Sequence, residues 1–492
     1  MSPAAPPTII LTTLNARYSH TAFGLRYLLA NMGELTPHTR LLEFTIHQPP
    51  EEIVESLLQQ QPTVIGLGVY IWNRLQIEAI VTLLKQVAPQ TTVVLGGPEI
   101  SYEFKQSSLF AQCDHLICGM ADLAFARLCD DLLHGRSVSK LINADVPPLD
   151  AIQLPYHLYS DRDITQRVIY VEASRGCPFH CEFCLSALDR TAWPFPLAAI
   201  TSALDKLWQR GARRFKFVDR TFNLNVATTA ALLNFFLARL DSDTRLHFEL
   251  IPDHLPVALR ELISRFPEEV LKFEIGIQSF NPEVQARISR RQDHHKSVAN
   301  LRWLRQQSHA HLHADLIIGL PGETLDSIAS SFNQLLALQP QVIQVGLLKR
   351  LRGTPLSRHD SEWQMQYQTT PPYRLLASRT LDFFTLQRLS RFARYRDLIA
   401  NSGHFFYTLP LRDYGSQPAP ASPFQRFLAL ADWLYQETAQ THQINLKRLF
   451  GLLHQYLVSI NECHETPAPD HPLQQDYRLS KLNGAPPWQS DR

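Results

Sequence analysis

Cysteine is sparse in this chain, with seven residues in 492, at positions 113, 118, 129, 177, 181, 184 and 463. So thin and odd a count in a long chain without a leader-like start excludes a disulfide framework. Net charge is nearly absent, 47 basic residues standing against 46 acidic ones, so there is no nucleic-acid footprint and no sign of an acidic partner. No run of 18 apolar residues occurs, and no helix is expected to span a membrane. The opening Met1-Ser-Pro-Ala-Ala-Pro-Pro7 has neither a basic flank nor an apolar core. It does not read as a secretory signal, and the expected location is cytoplasmic. Internal repeats and low-complexity tracts are missing as well. Apolar material is what the chain has in quantity, at 45% of residues, enough at this length for two or three buried cores.

Residues 1–138 alternate short apolar runs (8–12, 41–46, 64–69, 92–95, 115–118) with amphipathic stretches (21–32, 51–60, 73–87, 99–110, 121–133). That pattern predicts an α/β domain with a doubly wound, Rossmann-like parallel sheet. Ligands of such sheets bind beyond the carboxyl ends of the strands, which here carry Asn15, Ser19, His20, Gly68, Gly96, Gly97 and Gly119. Glycines at those ends let the backbone approach a large flat ligand, or they simply make tight turns. A polar, proline-bearing stretch at 139–165 reads as a linker. A second alternating series fills 166–364, with strands expected at 168–173, 214–218, 246–251, 271–277, 313–318 and 342–348. Six strands are too few to close an eight-stranded barrel and suit an open, partial (β/α)6 one, whose function belongs at the strand C-terminal ends. From 365 to 492 the pattern is helical (373–389, 392–400, 423–440, 445–460), with a loosely ordered tail expected over roughly the last 30 residues.

Three of the cysteines fall within eight residues, just past the first strand of the second series: Cys177-Pro-Phe-His-Cys181-Glu-Phe-Cys184. Three thiolates at this spacing can each bind one iron of a cubic 4Fe-4S cluster. A structural zinc site would be closed by four ligands. His180 is the only nearby fourth donor, but it sits inside the tight loop, and no second cysteine pair exists at finger spacing.

The spacing, with the aromatic Phe183 before the last cysteine, resembles the signature of the radical S-adenosylmethionine superfamily. The resemblance implies that the fourth iron chelates S-adenosylmethionine, and that an electron from the cluster breaks a carbon–sulfur bond to release a 5′-deoxyadenosyl radical. Phe273-Glu274-Ile-Gly276-Ile-Gln278-Ser279 and Asp315-Leu-Ile-Ile-Gly319-Leu320-Pro321-Gly322 resemble the fourth- and fifth-strand motifs of the branch that carries an N-terminal cobalamin-binding domain. By that likeness Phe183, Glu274, Gln278 and Ser279 face S-adenosylmethionine or the reaction chamber, and the backbone at Ile318 meets adenine. Glu274 and Gln278 could instead be a hydrogen-bonded pair inside the barrel, since a buried carboxylate needs a partner. At the second strand the superfamily commonly has a Gly-Gly-Glu-like stretch, whereas this chain reads Phe217-Val-Asp219-Arg220. There Asp219 takes the methionine ammonium, or Asp219 and Arg220 pair with each other or with neighbours.

Thr13-Leu-Asn15-Ala-Arg17-Tyr18-Ser19-His20 and Gly96-Gly-Pro-Glu-Ile-Ser-Tyr102 resemble the cobalamin-type domain of the same branch. The Asp-x-His-x-x-Gly motif that supplies a lower cobalt ligand is absent, Asp114 and His115 being adjacent. The branch commonly lacks it, so the resemblance implies cobalamin held without a protein nitrogen below cobalt, by Asn15, Ser19, His20 and the glycines 68, 96, 97 and 119. A domain that kept its fold and lost its ligand is the alternative. Cys113, Cys118 and Cys129 read as small packed thiols. The domain order is similar to that of a family ending in a helical domain of unknown function, and Val218–Asn223 and Leu348–Leu356 look typical of it. Lys349, Arg350 and Arg352 either meet an anionic substrate or form a solvated basic face. The resemblance implies a cobalamin-dependent radical enzyme, with methyl transfer to an unactivated carbon as first expectation and flavodoxin or ferredoxin as reductant. The alternatives are a radical enzyme without working cobalamin, and a metal-binding structural or electron-transfer module.

Overall fold

The structure, a computed structural model, describes residues 8–409 and 421–489. The five apolar runs of the first segment become five strands of a six-stranded parallel sheet: β1 (Ile9–Asn15), β2 (Thr39–Thr45), β3 (Val64–Gly68), β4 (Thr92–Gly96) and β5 (His115–Gly119), with β6 (Leu141–Ala144) added at the edge. They are ordered β2-β1-β3-β4-β5-β6, so the topological switch point lies between β1 and β3. Both strands are buried along their whole length, as they must be when helices cover both faces. Leu25, Phe125 and Leu128 pack on one face, and Ile53, Leu57, Ile77 and Ile80 on the other. The sixth strand corrects the expected domain boundary: Leu141–Ala144 lies in the predicted linker but pairs with β5. A four-residue strand is too short to show a period.

The second series forms another all-parallel sheet of β7 (Ile169–Val171), β8 (Arg214–Phe217), β9 (Arg245–Leu250), β10 (Leu271–Gln278), β11 (His311–Ile318) and β12 (Val342–Leu347), in sequential order. β7 and β12 do not pair, so the barrel is open between them. Strict alternation of burial along β10 and β11 sends Phe273, Ile275, Ala314 and Leu316 outward to the helices. The alternate set, including Lys272, Glu274, Gln278, His313 and Asp315, faces the interior. The free edge of β12 is covered by Asn401, whose Nδ2 donates to the Ile343 carbonyl at 3.0 Å while its Oδ1 accepts from the Ile343 amide at 3.2 Å. An edge paired in this way cannot template aggregation.

The C-terminal segment corrects two further expectations. One helix, Phe383–Ile399, replaces the two predicted at 373–389 and 392–400, and Asp382 caps its start by accepting from the Thr385 amide. Part of the stretch expected to be loosely ordered is a helix, Pro472–Leu479, which brings Tyr477 against Phe450, with Trp488 packed beside Tyr477 and His454. The C-terminal helices have no core of their own, because their buried side chains belong to the same cluster as those of the barrel.

Candidate active site

Beyond β7 the chain turns into a short ribbon, Ser174–Arg175 pairing antiparallel with Trp193–Pro194. Gly176 follows at φ +87°, where a Cβ would lie 2.7 Å from Thr191 Oγ1 and 2.8 Å from the Ala192 amide, so a side chain is excluded. The cysteine loop is anchored at both ends. The Cys177 amide donates to the Asp189 carbonyl at 2.8 Å and the Glu182 amide to the Ile288 carbonyl at 3.1 Å. Glu182, buried between Cys181 and Phe183, accepts from His359 Nε2 at 2.8 Å and pairs with Arg358.

Cys177, Cys181 and Cys184 line one cavity of about 240 Å³ at the C-terminal ends of the barrel strands. Burial raises the Cys177 and Cys181 thiol pKa values, while Arg290, whose Nη1 lies 3.4 Å from Cys181 Sγ, and Arg220 pull the other way. Two guanidiniums beside three thiolates offset the negative charge of a cluster ligated by sulfur. Among the described residues no three His, Cys, Asp or Glu side chains close on a single ion. Thiols distributed round a cavity wall match a cluster whose irons are held one by one. The rest of the wall suits the zwitterionic methionine end of S-adenosylmethionine. Glu274 accepts from His247 Nε2 at 3.0 Å, and this bond, with Lys216 and His313 nearby, holds its pKa at about 2. An ionised carboxylate therefore faces the cavity. Gln278, at φ +69°, carries a buried Oε1 with no partner, an acceptor that a polar ligand would satisfy.

Of the residues expected at S-adenosylmethionine, Phe183, Glu274 and Gln278 share the cavity with the cysteines, whereas Asp219, Ser279 and Ile318 stand behind it. Asp219 is fully occupied: it accepts from the Ala173 amide at 2.9 Å and from Ser174 Oγ at 2.6 Å, and burial pushes its pKa up to about 6. It fixes the loop before the cysteines, and the carboxylates that line the cavity for an ammonium are Glu249, Asp253, Glu274 and Asp315. Ser279 donates to Glu323 at 2.8 Å. Ile318 packs outward, its carbonyl taken by the Leu348 amide at 2.9 Å. Sequence reading passed over Glu249 and Arg290. Counting by two along β9 puts Glu249 on the inner face with His247; Arg290 lies in a loop and shows no pattern.

A second cavity, about 220 Å³, opens at the carboxyl ends of β3, β4 and β5. Gly68, Gly96, Gly97 and Gly119 line it, with Leu11, Leu25 and Ile117 supplying apolar walls. Gly68 and Gly96 are register partners on neighbouring strands. A Cβ at Gly96 would meet nothing closer than the Ile117 carbonyl at 3.6 Å, so it would enter the slot. A narrow apolar slot floored by glycine fits the flat heteroaromatic parts of a corrinoid. Asn15, Ser19 and His20 do not line it. They join the sheet domain to the barrel instead: the Ser19 carbonyl accepts from the Val168 amide at 3.0 Å and His20 Nδ1 meets Tyr170 Oη at 2.5 Å. Asn15 Nδ2 donates to the His20 carbonyl at 3.1 Å and steadies that loop.

One side chain at the edge of the glycine slot belongs to the segment that leads into the cysteine loop. Arg175, two residues before Cys177, donates from both Nη atoms to Asp122 (2.9 and 3.0 Å) and from Nε to Glu172 at 2.9 Å. Its guanidinium lies 4.5 Å from the Tyr27 ring centroid, and Arg175 and Asp122 both line the glycine slot. A second clamp gives Arg350 and Arg352 a role that neither alternative, substrate contact or a solvated face, described. Arg350 pairs with Glu103, and Arg352 with buried Glu99 at 3.2 Å, both partners on the loop after β4. Lys349 alone of that basic stretch points to a cavity.

Comparison with known proteins agrees with this geometry. Residues 9–129 match the B12 binding domain, 171–335 the Radical SAM superfamily, and 361–489 a family of unknown function, DUF4080. An uncharacterized methyltransferase from Pyrococcus horikoshii is 22% identical over 385 residues, covering 70% of this chain and 79% of the relative. Bacteriochlorophyllide d C-8(2)-methyltransferase from Chlorobaculum tepidum is 34% identical over 101 residues, 19% of this chain and 22% of that enzyme. Two solved structures share the fold. OxsB, with aqua-cobalamin and S-adenosylmethionine bound, superposes with a TM-score of 0.64 at 13% identity, over 96% of this chain and 83% of that one. The methyltransferase TsrM from Kitasatospora setae gives 0.61 at 16% identity, over 76% and 80%. The cofactors that go with these domains are a 4Fe-4S cluster, S-adenosylmethionine and cobalamin, and reductive cleavage of S-adenosylmethionine is the chemistry. The chain thus carries a Radical SAM domain, with a B12-binding domain before it and a DUF4080 domain after it, and is a radical SAM enzyme.

Proposed function

We propose that this enzyme methylates an unactivated carbon of an organic substrate. The observation that carries the reading is Arg175, which borders the glycine slot while belonging to the loop that presents the three cysteines. Arg175 stands two residues before Cys177 in the chain, and this link between the glycine slot and the cysteine loop supports a reading in which corrinoid and radical chemistry work together, as methyl delivery to a carbon-centred radical needs. When bound, the cluster supplies the electron that cleaves S-adenosylmethionine, and the corrinoid supplies a methyl carrier.

The chain's own residues position and shield. Cys177, Cys181 and Cys184 hold three irons and leave the fourth open. Glu274, kept ionised by His247 and Lys216, takes the methionine ammonium, and Gln278 gives its unpaired oxygen to the same ligand. Arg220, held by Glu249 at 2.6 Å, and Arg290 balance the cluster's charge, and Phe183 keeps water from the reacting centre. Flavodoxin or ferredoxin is the proposed reductant, since radical SAM enzymes need one. The names of the Pyrococcus and Chlorobaculum relatives, both methyltransferases, favour methyl transfer over ring formation.

The test is anaerobic turnover with S-adenosylmethionine deuterated in its methyl group. Both 5′-deoxyadenosine and S-adenosylhomocysteine should form, the first from radical generation and the second from methyl donation. Cys177→Ala should abolish the first. Steady 5′-deoxyadenosine production with no S-adenosylhomocysteine, in protein replete with corrinoid, would make it a radical enzyme that does not methylate.

A further inference from the structure

Where the open side of the barrel meets the C-terminal helices lies a cavity of about 680 Å³. Phe183, the residue before Cys184, borders both this cavity and the cysteine cavity, so the two share a wall at that side chain. One wall is β12 and the segment after it, with Gly346 and Lys349; the other is one face of the helix Phe383–Ile399, with Gln387, Arg391 and Arg394 at helical spacing. A space of this size takes a ligand of metabolite dimensions.

Its electrostatics are one-sided. Lys349, Arg374, Arg391 and Arg394 all line the cavity, against a single acid, Asp397, which accepts from Asn401 Nδ2 at 2.9 Å. None of the four cations has an ion-pair partner among the described residues. Elsewhere in the molecule comparable arginines are matched: Arg26 with Glu43, Arg175 with Asp122, Arg352 with Glu99. The two helix arginines are nonetheless held in place. Arg391 stacks on Tyr435 with its guanidinium 4.4 Å from the ring centroid, and its Nε is buried without a partner. Arg394 Nε donates to the Thr441 carbonyl at 3.0 Å. Braced guanidiniums with free N–H groups are the standard means of binding carboxylate or phosphate in two-point fashion.

We propose that this cavity receives the substrate, and that the substrate is an elongated organic acid with at least two anionic groups, carboxylate or phosphate. Arg391, Arg394, Lys349 and Arg374 hold the anionic groups, while the uncharged skeleton lies along Ile317, Leu347 and Phe183 toward the cluster. The inference rests on the reading of the cysteine cavity as the place where the radical forms. It also gives the DUF4080 helices a task, that of closing the barrel's open side with a cationic wall.

The experiment is calorimetric titration of the anaerobically reconstituted protein with tricarballylate, with pyrophosphate and with the neutral triamide of tricarballylate. At about 50 mM salt, where screening is weak, at least one anion should bind and the triamide should not. The preferred anion distinguishes a carboxylate from a phosphate ligand. Arg391→Gln/Arg394→Gln should weaken that binding by about tenfold or more, and Arg391→Lys/Arg394→Lys should recover most of it. If the glutamine pair proves unstable, Arg374→Gln, at an exposed position, should weaken binding severalfold, as should raising the salt for the unaltered protein. Equal binding of triamide and anions, no binding of either anion, or binding indifferent to both substitutions and salt would overturn the anion site. 5′-Deoxyadenosine formation is read separately: its absence with anion binding intact would overturn the radical reading and leave the anion site standing.

Discussion

Arg175 satisfies carboxylates on two sides of a domain boundary, Glu172 from the barrel and Asp122 from the sheet domain, and all three are nearly buried. Removing the guanidinium strands two charges in a poorly solvated place, a loss of about 3–5 kcal/mol for a broken buried pair. Arg175→Met should therefore lower the melting temperature by several degrees and reduce bound corrinoid, whereas Arg210→Met, at a pair whose acid is exposed, should do neither. Glu323 makes a second residue-level prediction. It accepts from Ser279 through one oxygen, the other is buried without a partner, and burial pushes its pKa up to about 8. The folded state then holds the proton more tightly than the unfolded chain does. Its contribution is full below about pH 4.5 and is withdrawn as pH rises through about 8. In denaturant titrations Glu323→Gln should flatten the decline of stability between these limits, a decline of at most about 1.4 kcal/mol per pH unit; parallel curves for the two proteins would refute the assignment. At this scale the cysteines were legible because three soft ligands in eight residues have few other uses. For Asp219 the structure favours the alternative, pairing with neighbours, and position in the strand order does not reveal that the loop at Ala173 and Ser174 consumes both its oxygens.

Strands and helices were legible in proportion to their length and burial. β10 and β11 each show eight residues of alternating burial, and they appear where the apolar alternation puts them. β6 and the helix Pro472–Leu479 escaped because four or eight residues carry too little periodic information, and their stability comes from docking onto β5 and Phe450. The glycine floor of β3 and β4 makes a prediction at the same scale. Gly96→Val adds a side chain that strand backbone accepts and that finds open space, so the domain should fold while the slot fills. Corrinoid content should drop about tenfold or more, with iron per chain unchanged; wild-type corrinoid content in the variant would move the cobalamin site elsewhere.

Across the whole molecule the loops beyond the strands of both sheets are tied together by Arg175 and by the Glu99–Arg352–Tyr373 cluster, while Arg26 joins Glu43 to Asp163, ahead of β7. No helix among the described residues is long and apolar enough to cross a membrane. The barrel and the C-terminal helices share one core, in which Phe332 meets Phe392 and Phe424 at 5.2 and 5.8 Å between ring centroids. A chain cut after residue 364 should consequently be insoluble or rapidly proteolysed, which expression and limited trypsin digestion would show. Domain order was readable from the two alternating series, but this shared core was not, because contacts between distant segments leave no local pattern. The account depends most on a cluster that Cys177, Cys181 and Cys184 alone would hold, and electron paramagnetic resonance of the reduced, anaerobically reconstituted protein tests it directly. The account predicts a 4Fe-4S signal that changes on addition of S-adenosylmethionine and is lost when any one of Cys177, Cys181 or Cys184 becomes alanine; a cluster signal indifferent to S-adenosylmethionine, or a protein holding one zinc ion and no cluster, would contradict it.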